Sequence, residues 1–459
     1  MFCTISLLTG LEFLFLLLKM CDCSPQSMDL KTPRNVYLTA FYKRSFAHHT
    51  VKNRMPVILT QVIDGLARNK EEIANAHGEE GQNDLKSVIG ELSKLKYEIQ
   101  TNKSLRKIVS DAPDVKFYND YITGQSDKDG NVTFFSVIWL LSECYMYRRI
   151  REAFEVTNTL KNYDPFLKQK RDSHFQALPV MAKLAQYLIE VLEKSDEPKK
   201  EDFIHLLKIN LWGNKCDLSL SNGEMTSNTD DLFNLESLEP NILCDHSEKV
   251  WMAVSGAQSS AIIDIVLDNS GYELFTDLCI ADYLTTKKLA SKIRFYVKTI
   301  PWFISDVMAT DFRWTIDHLR MNVDEYLRQV GIKWFNYVAN GTWVVIEDNF
   351  WTLPVDFSYM RDVKPELYKE LAKATLVIFK GDLNYRKLFG EKNWDPTTPI
   401  DEALQNFNPT KLCTLRTIKA DIVCGLPQGL AEKMEAITEK WMETGDYGLI
   451  QFSEKIVSV

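Results

Sequence analysis

"AIIDIVLDNSGYELFTDLCIADYLTT", residues 261–286, is the stretch on which the reading of the whole chain turns. Ile262, Ile263, Ile265, Val266 and Leu267 make a short, largely β-branched apolar run, the pattern of a strand buried on both faces. The run stops at Asp268-Asn269-Ser270-Gly271, after which Glu273, Leu274, Asp277 and Leu278 recur at helical spacing. Each residue of that polar group favours a turn for its own reason, so the stretch by itself is a strand–turn–helix unit. It leaves a question: why do a carboxylate and a carboxamide stand side by side where a core strand surfaces?

Working outward, the same rhythm recurs through the second half. Strand-like runs at 292–298, 343–348, 374–380 and 412–423 alternate with helical patterns at 272–286, 323–338 and 365–374. Continuous apolar strands alternating with helices imply an α/β/α sandwich around a mostly parallel sheet. Ligands of such sheets bind at the carboxyl ends of the strands, and Asp268 and Asn269 stand at one. The first half reads differently, with amphipathic helical patterns at 56–73, 85–99, 135–154, 178–193 and 201–212 separated by polar breaks at 124–131 and 194–200. The expected organisation is a leader over 1–49, an N-terminal all-helical domain over 50–215, and a C-terminal α/β domain over 216–459 on which the helical domain packs.

The leader "MFCTISLLTGLEFLFLLLKM" is apolar from 5 to 18 but carries Gly10 and Glu12 and is too short to span a bilayer. It has no basic n-region, and Met20 and Met28 offer later starts, so residues 1–49 are expected to be disordered or a misassigned start, with a targeting segment or a surface anchor as the lesser readings. His48 and His49 fall in this expectation of poor order. The formal net charge of −9 argues against a broad nucleic-acid footprint, which needs a basic surface to displace counterions, yet it permits a local pocket for one phosphate. Nine cysteines are scattered without a CxxC and no His/Cys cluster has zinc spacing, which points to reduced thiols in a cytoplasmic protein. A monomer with no membrane and no nucleic-acid partner is the expectation.

Other strand ends are polar too. The run 292–298 continues into "TIPWFISD", ending at Asp306. The run 374–380 leads into "KGDLNYRKLFG", delivering Asp382, Leu383, Asn384, Tyr385, Arg386 and Lys387 where a helix should begin, and "LRTIK" brings Arg416, Thr417 and Lys419. Taken singly, Asp306, Asp382 and Asn384 could cap helices or make turns, and Arg416 and Lys419 could be solvated edge charges. Taken together at one edge of one sheet, they offer complementary chemistry. Hard oxygens from Asp268, Asn269 and Asp306 suit Mg²⁺ or Mn²⁺. Arg386, Arg416 and Lys419 suit a phosphate, helped by helix N-terminal amides. A divalent cation beside a cationic phosphate clamp is the equipment for phosphoryl transfer to water.

"LWGNKCDLSLS" (211–221), "IVLDNSGYELFTDL" (265–278), "KTIPWFISD" (298–306), "FKGDLNYRKL" (379–388) and "LRTIKA" (415–420) together resemble the damage-control phosphatase family, in the sugar-phosphate subfamily marked by an Arg-Thr-x-Lys motif near the C-terminus. The resemblance covers roughly residues 50 to 456 and includes "ECYMYRRI" (143–150) in the helical half; the leader has no counterpart in the family pattern. It implies a helical domain packed on an α/β sandwich. It implies Asp268, Asn269 and Asp306 as metal ligands, Glu273 at a ligand-binding position, Asp382 to Arg386 lining the substrate site, and Lys419 on the phosphate. The activity it implies is metal-dependent hydrolysis of small phosphorylated metabolites, fructose 1-phosphate and related ketose phosphates foremost, with Mn²⁺ or Ni²⁺ favoured and Mg²⁺ or Co²⁺ possible.

On this reading Asp268, Asn269 and Lys419 carry the catalysis. Ser270 stands where haloacid-dehalogenase phosphatases place a second aspartate, which favours water over Asp268 as the nucleophile. The alternative is an S-adenosylmethionine-dependent protein-glutamate carboxyl methyltransferase, an activity also attributed within the family; no GxGxxG-like loop follows any candidate strand to support it. A catalytically silent scaffold is a third reading, which has no use for the strand-end constellation. Glu143, Arg148 and Arg149 could form a salt-bridged helix surface or reach over the site from the helical half, and Asp217 has the same status.

Overall fold

Continuous burial along the central strands sets the architecture. The structure, a computed structural model, describes residues 27–126, 132–214, 235–258 and 260–457. β1 (Ile242–Asp245), β2 (Ile262–Val266), β3 (Lys292–Val297), β4 (Trp343–Glu347), β5 (Leu376–Lys380), β6 (Leu412–Thr417) and β7 (Gly448–Ser453) form one sheet in the order β1-β7-β6-β5-β2-β3-β4. β2 to β6 are mutually parallel, whereas β7 is antiparallel to β6 and parallel to β1. The mostly parallel α/β sheet read from the sequence is therefore present.

β1 and β7 are additions to that reading. β1 has only four residues, and "GLIQFS" of β7 contains Gly448 and Gln451, so neither stands out as an apolar run. The run 412–423 stays extended only to Thr417, after which Arg416 donates to the Ala420 carbonyl at 3.0 Å and the chain folds back over the strand end. From β2 the chain moves outward to β3 and β4, then returns to the other side of β2 to lay down β5 and β6. The β2–β5 seam is thus the topological switch point, where loops leave in opposite directions and a crevice opens.

Ile263, Ile265 and Leu267 face one apolar core and Val266 the other, so both faces of the sheet are covered. On the first face lie α4 (Leu167–Glu193), α5 (Lys200–Gly213), α6 (Tyr272–Thr286), α7 (Ala309–Arg320) and α8 (Glu325–Ala339). The second core joins the other sheet face to α1 (Met55–Arg68), α2 (Lys70–Gln100), α3 (Trp139–Glu155) and the segment 350–371. The helices over 167–213, grouped by sequence with the helical half, form an outer layer of the sandwich. The helical pattern at 56–73 breaks at Asn69, and α2 kinks at Gly78, whose φ of 65° suits glycine.

Residues 27–49 correct the expectation of a disordered leader. Tyr37 pairs with Lys392 and Thr39 with Ile138, while Leu38, Ala40, Phe46 and Ala47 are buried. His48 Nδ1 sits 2.6 Å from the Ala40 carbonyl. The apolar residues here cover the seam between the helical half and the sheet edge, which orders them. The leader proper, 1–26, lies outside the described residues, as does Asp217. Cys144, Cys244, Cys279, Cys413 and Cys424 are buried free thiols, and among the described residues no helix is long and apolar enough to cross a membrane.

Candidate active site

A cleft opens over the switch point. Its floor is made of strand ends: Asp268 and Asn269 after β2, Phe303 and Asp306 after β3, Asp382, Leu383 and Arg386 on α9 (Gly381–Leu388) after β5, and Lys419 after β6. Its roof comes from the N-terminal half, with Arg54 closing the π-turn Thr50–Arg54 and Trp139, Glu143 and Tyr147 on α3. Single π-turns of this kind recur at functional sites.

Backbone pairing across two loops holds the first acidic group together. The Ser270 N–H donates to the Ser305 carbonyl at 2.7 Å and the Val307 N–H to the Asp268 carbonyl at 2.8 Å, so Asn269 and Asp306 face each other as a bridge pair. The loop turns back sharply, with φ of 41° at Phe303 and 70° at Ile304. A β-branched residue in the left-handed region is costly, on the order of 1–3 kcal/mol, and such strain clusters at functional sites. Here it swings Asp306 beside Asn269.

Each carboxylate then has a fixed orientation. The Asn214 amide, just past α5, donates to Asp268 Oδ2 at 2.9 Å and to Glu273 Oε2 at 2.8 Å, and the Asn269 amide donates to the same two oxygens at 2.9 Å each. Ser305 Oγ donates to Asn269 Oδ1 at 2.6 Å, and Lys298 Nζ lies 3.1 Å from Asp306 Oδ2. Gly381, at φ 81°, clears the space: a Cβ there would stand 1.8 Å from Asp268 Oδ2. Behind this layer Lys380 Nζ reaches Glu273 Oε1 and Asp277 Oδ1 at 2.9 Å each. Burial pushes Asp277 up to about 6 against the pull of Lys380. Burial also works against the Lys380 ammonium, yet Asp277 and Glu273 together hold it above the usual lysine value.

Lys419 is one of the two cations of the floor, with Arg386. Its Nζ donates to the Asn214 carbonyl and its N–H to Asp382 Oδ1 at 3.2 Å, while Thr417 Oγ1 of the same motif donates to Asn214 Oδ1 at 2.7 Å. Arg416 differs from expectation. Its guanidinium is engaged by Asp382 at 2.7 Å and by the Ile422 and Ala420 carbonyls, over the Tyr385 ring, and it does not line the cleft. Fully buried in the chain's own contacts, it fixes the β6 turn instead of facing a phosphate.

Glu273, Asn384 and Tyr385 are also set back from the cleft. Glu273 supports Asp268 from behind, the Asn384 amide donates to the Lys380 carbonyl at 2.8 Å, and the Tyr385 hydroxyl is 3.5 Å from Cys424 Sγ. Arg386 does line the cleft, but between two acids: Nη1 meets Glu143 Oε2 at 2.6 Å and Nε meets Glu391 Oε2 at 2.9 Å, with Trp139 stacked 3.7 Å away. Burial pushes Glu391 up to about 7, against the opposing pull of Arg386. Of the residues in ECYMYRRI (143–150), Glu143 reaches the site, whereas Arg148 pairs with Asp114 at 2.7 Å and Arg149 with Glu152.

Comparisons with known proteins show the family. The family model for the damage-control phosphatase ARMT1-like domain matches residues 50–434. The chain belongs to this family. It is 43% identical over 423 residues to damage-control phosphatase ARMT1 of Bos taurus, covering 89% of this chain and 96% of that protein, and equally similar to its Homo sapiens namesake. The Danio rerio namesake is 41% identical over 431 residues, covering 91% and 96% respectively. A crystal structure of a DUF89 family protein from Pyrococcus horikoshii aligns with TM-score 0.40 and 14% identity over 86% of this chain and 96% of that one.

The matched residues 50–434 include every residue that lines the cleft except Phe46. Phe46, Ile58, Trp139, Tyr147 and Phe303 were not singled out in the sequence because apolar and aromatic positions look like core, and Arg54 because a lone cation in a helical pattern looks like a solvated surface charge. Asn214 lay within a quoted motif, and an asparagine just past a helix inside an otherwise apolar stretch was the available signal. Among the described residues no three His, Cys, Asp or Glu side chains are grouped to hold a metal. The set here is two carboxylates and a carboxamide, oxygen donors that suit a hard divalent cation. Each has a hydrogen-bonding or charged neighbour that orients it, as outer-shell partners do in metal sites. The residues therefore fit such an ion.

Proposed function

We propose that the chain is a metal-dependent phosphomonoesterase for small phosphorylated metabolites, with ketose phosphates such as fructose 1-phosphate as the leading substrate class. The observation that carries this reading is the meeting of Asp268, Asn269, Asp306 and Lys419 in one buried cleft at the β2–β5 switch point. The name of the relatives, damage-control phosphatase, supports the reaction class. Asp268, Asn269 and Asp306 hold a divalent cation, Mn²⁺ or Ni²⁺ before Mg²⁺ or Co²⁺. Such an ion, when bound, supplies Lewis-acid polarisation of the phosphoryl oxygens.

The chain's own groups do the rest. Lys419, aimed by the Asn214 carbonyl, offsets the negative charge that grows on the phosphoryl group as the ester bond breaks. Asp382 fixes Lys419 through its backbone N–H. Phe303, Tyr147 and Trp139 keep bulk water from the reacting centre and strengthen the electrostatics by lowering the local dielectric. Protein stripped with chelator and reloaded with Mn²⁺, Ni²⁺, Mg²⁺ or Co²⁺ is expected to release phosphate from a sugar-phosphate panel only after reloading. Full activity in EDTA overturns the metal-dependent reading.

A further inference from the structure

Two chemically different groups line the cleft. Asp268, Asn269, Asp306 and Lys419 suit a phosphate and a cation. Arg386, by contrast, is flanked by Glu143 at 2.6 Å and Glu391 at 2.9 Å, with its guanidinium carbon 3.7 Å from the centre of the Trp139 ring. Two acids on one guanidinium cancel its attraction for an anion, so this group does not suit a second phosphate or a carboxylate. Glu143 is 6% exposed, Arg386 3% and Trp139 1%, and all three still line the cleft.

A buried carboxylate beside a buried guanidinium is matched to hydroxyl groups. A hydroxyl donates to the carboxylate and accepts from a guanidinium N–H, so adjacent hydroxyls satisfy both at once. Tyr147 and Phe303, stacked with centroids 4.5 Å apart, present ring carbon to the same space and suit the C–H face of a polyol.

We infer that Glu143, contributed by the N-terminal helical half, is a specificity residue of this cleft: with Arg386 it reads the hydroxyl groups of a polyhydroxy leaving group. The inference rests on the phosphatase reading above and deepens it. Glu143 takes no part in bond breaking. Its contribution is binding energy for a leaving group rich in hydroxyls, absent for one that has none.

The test compares a ketose phosphate with p-nitrophenyl phosphate, whose leaving group carries a flat ring and no hydroxyl pair, on Mn²⁺-loaded full-length protein. In Glu143→Gln the ratio of kcat/KM for the ketose phosphate over that for p-nitrophenyl phosphate is expected to fall about tenfold to a hundredfold, the range for one charged hydrogen bond, through KM. Glu143→Asp, which keeps the charge, is expected to recover part of it. The ratio is internal to each preparation, so partial misfolding does not alter it. An unchanged ratio in both variants overturns the assignment. Should the wild type hydrolyse neither substrate, the phosphatase reading fails on its own. Calorimetric titration with the ketose phosphate then decides the present inference: weaker binding in Glu143→Gln supports it and equal binding overturns it.

Discussion

One wall of the cleft is made of strand ends and the other of helix faces, and they obey different constraints. Asp268 and Asn269 follow directly on β2, and the loop after the neighbouring parallel strand β3 turns back to set Asp306 beside them, so the sheet and two adjoining loops build this group. Their side chains are then locked by short polar contacts and a strained turn. Trp139, Glu143 and Tyr147 sit on α3, more than a hundred residues upstream of Asp268, and meet the cleft only because α3 packs over the sheet edge. The first wall sets the charges, the second their dielectric and the shape of the space. Within the first wall, β2 itself carries a lesson. Asp264, mid-strand, is clasped by Arg294 at 2.6 and 2.7 Å and serves the core, while Asp268, just past the strand end, is held by neutral amides and faces the cleft.

The contrast breaks first at Asp268. Asp268→Ala is expected to lower kcat/KM by at least about a thousandfold on every phosphomonoester, hydroxylated or not, measured as phosphate release with Mn²⁺. A loss confined to sugar phosphates means that the strand-end wall does not carry the chemistry. Gly381→Ala comes next, because its Cβ falls on Asp268 Oδ2 and its φ is left-handed. A destabilisation on the order of 2–4 kcal/mol is expected by denaturant titration, with activity falling alongside.

Asn214→Ala removes one donor from each of Asp268 and Glu273 and leaves the folded scaffold in place. Activity is expected to fall about tenfold to a hundredfold on both substrate types. Mn²⁺ affinity, followed by titration calorimetry, should weaken in parallel, which separates positioning from a general loss of fold. The smallest effect concerns pH. His174 on α4 is pushed down to about 3 by burial, then by His318 and Arg171. Between its ordinary value near 6.5 and 3, the unfolded chain takes up a proton that the folded one refuses, so stability is lost as pH falls through that window. The slope is about 1.4 kcal/mol per pH unit, and His174→Gln should flatten it in melts taken between pH 4 and 7.

Much of the first wall was legible in advance. Continuous apolar runs punctuated by Asp-Asn, Asp306 and the Arg-Thr-x-Lys group announce strand ends, and strand ends of a parallel sheet share an edge. The reading went astray where residue type and role part company. Arg416 has the chemistry of a phosphate ligand, but its place inside the β6 turn gives its donors to Asp382 and to carbonyls. Arg386 likewise has the right charge for a clamp and is neutralised by Glu143 and Glu391, one of them from the other half of the chain. Residues 28–49 looked like a leader because their order comes from what they cover, not from any periodicity of their own.

The sequence by itself determined the parallel sheet, its active edge and the oxygen-rich group at the end of β2, because periodicity and strand-end position are local properties of a chain. Which cations face the cleft, which carboxylates stand behind it and which helix closes it were decided only by the tertiary structure. Those choices depend on contacts between residues far apart in the chain, where a short hydrogen bond turns a ligand into a support and a missing Cβ makes room for a carboxylate.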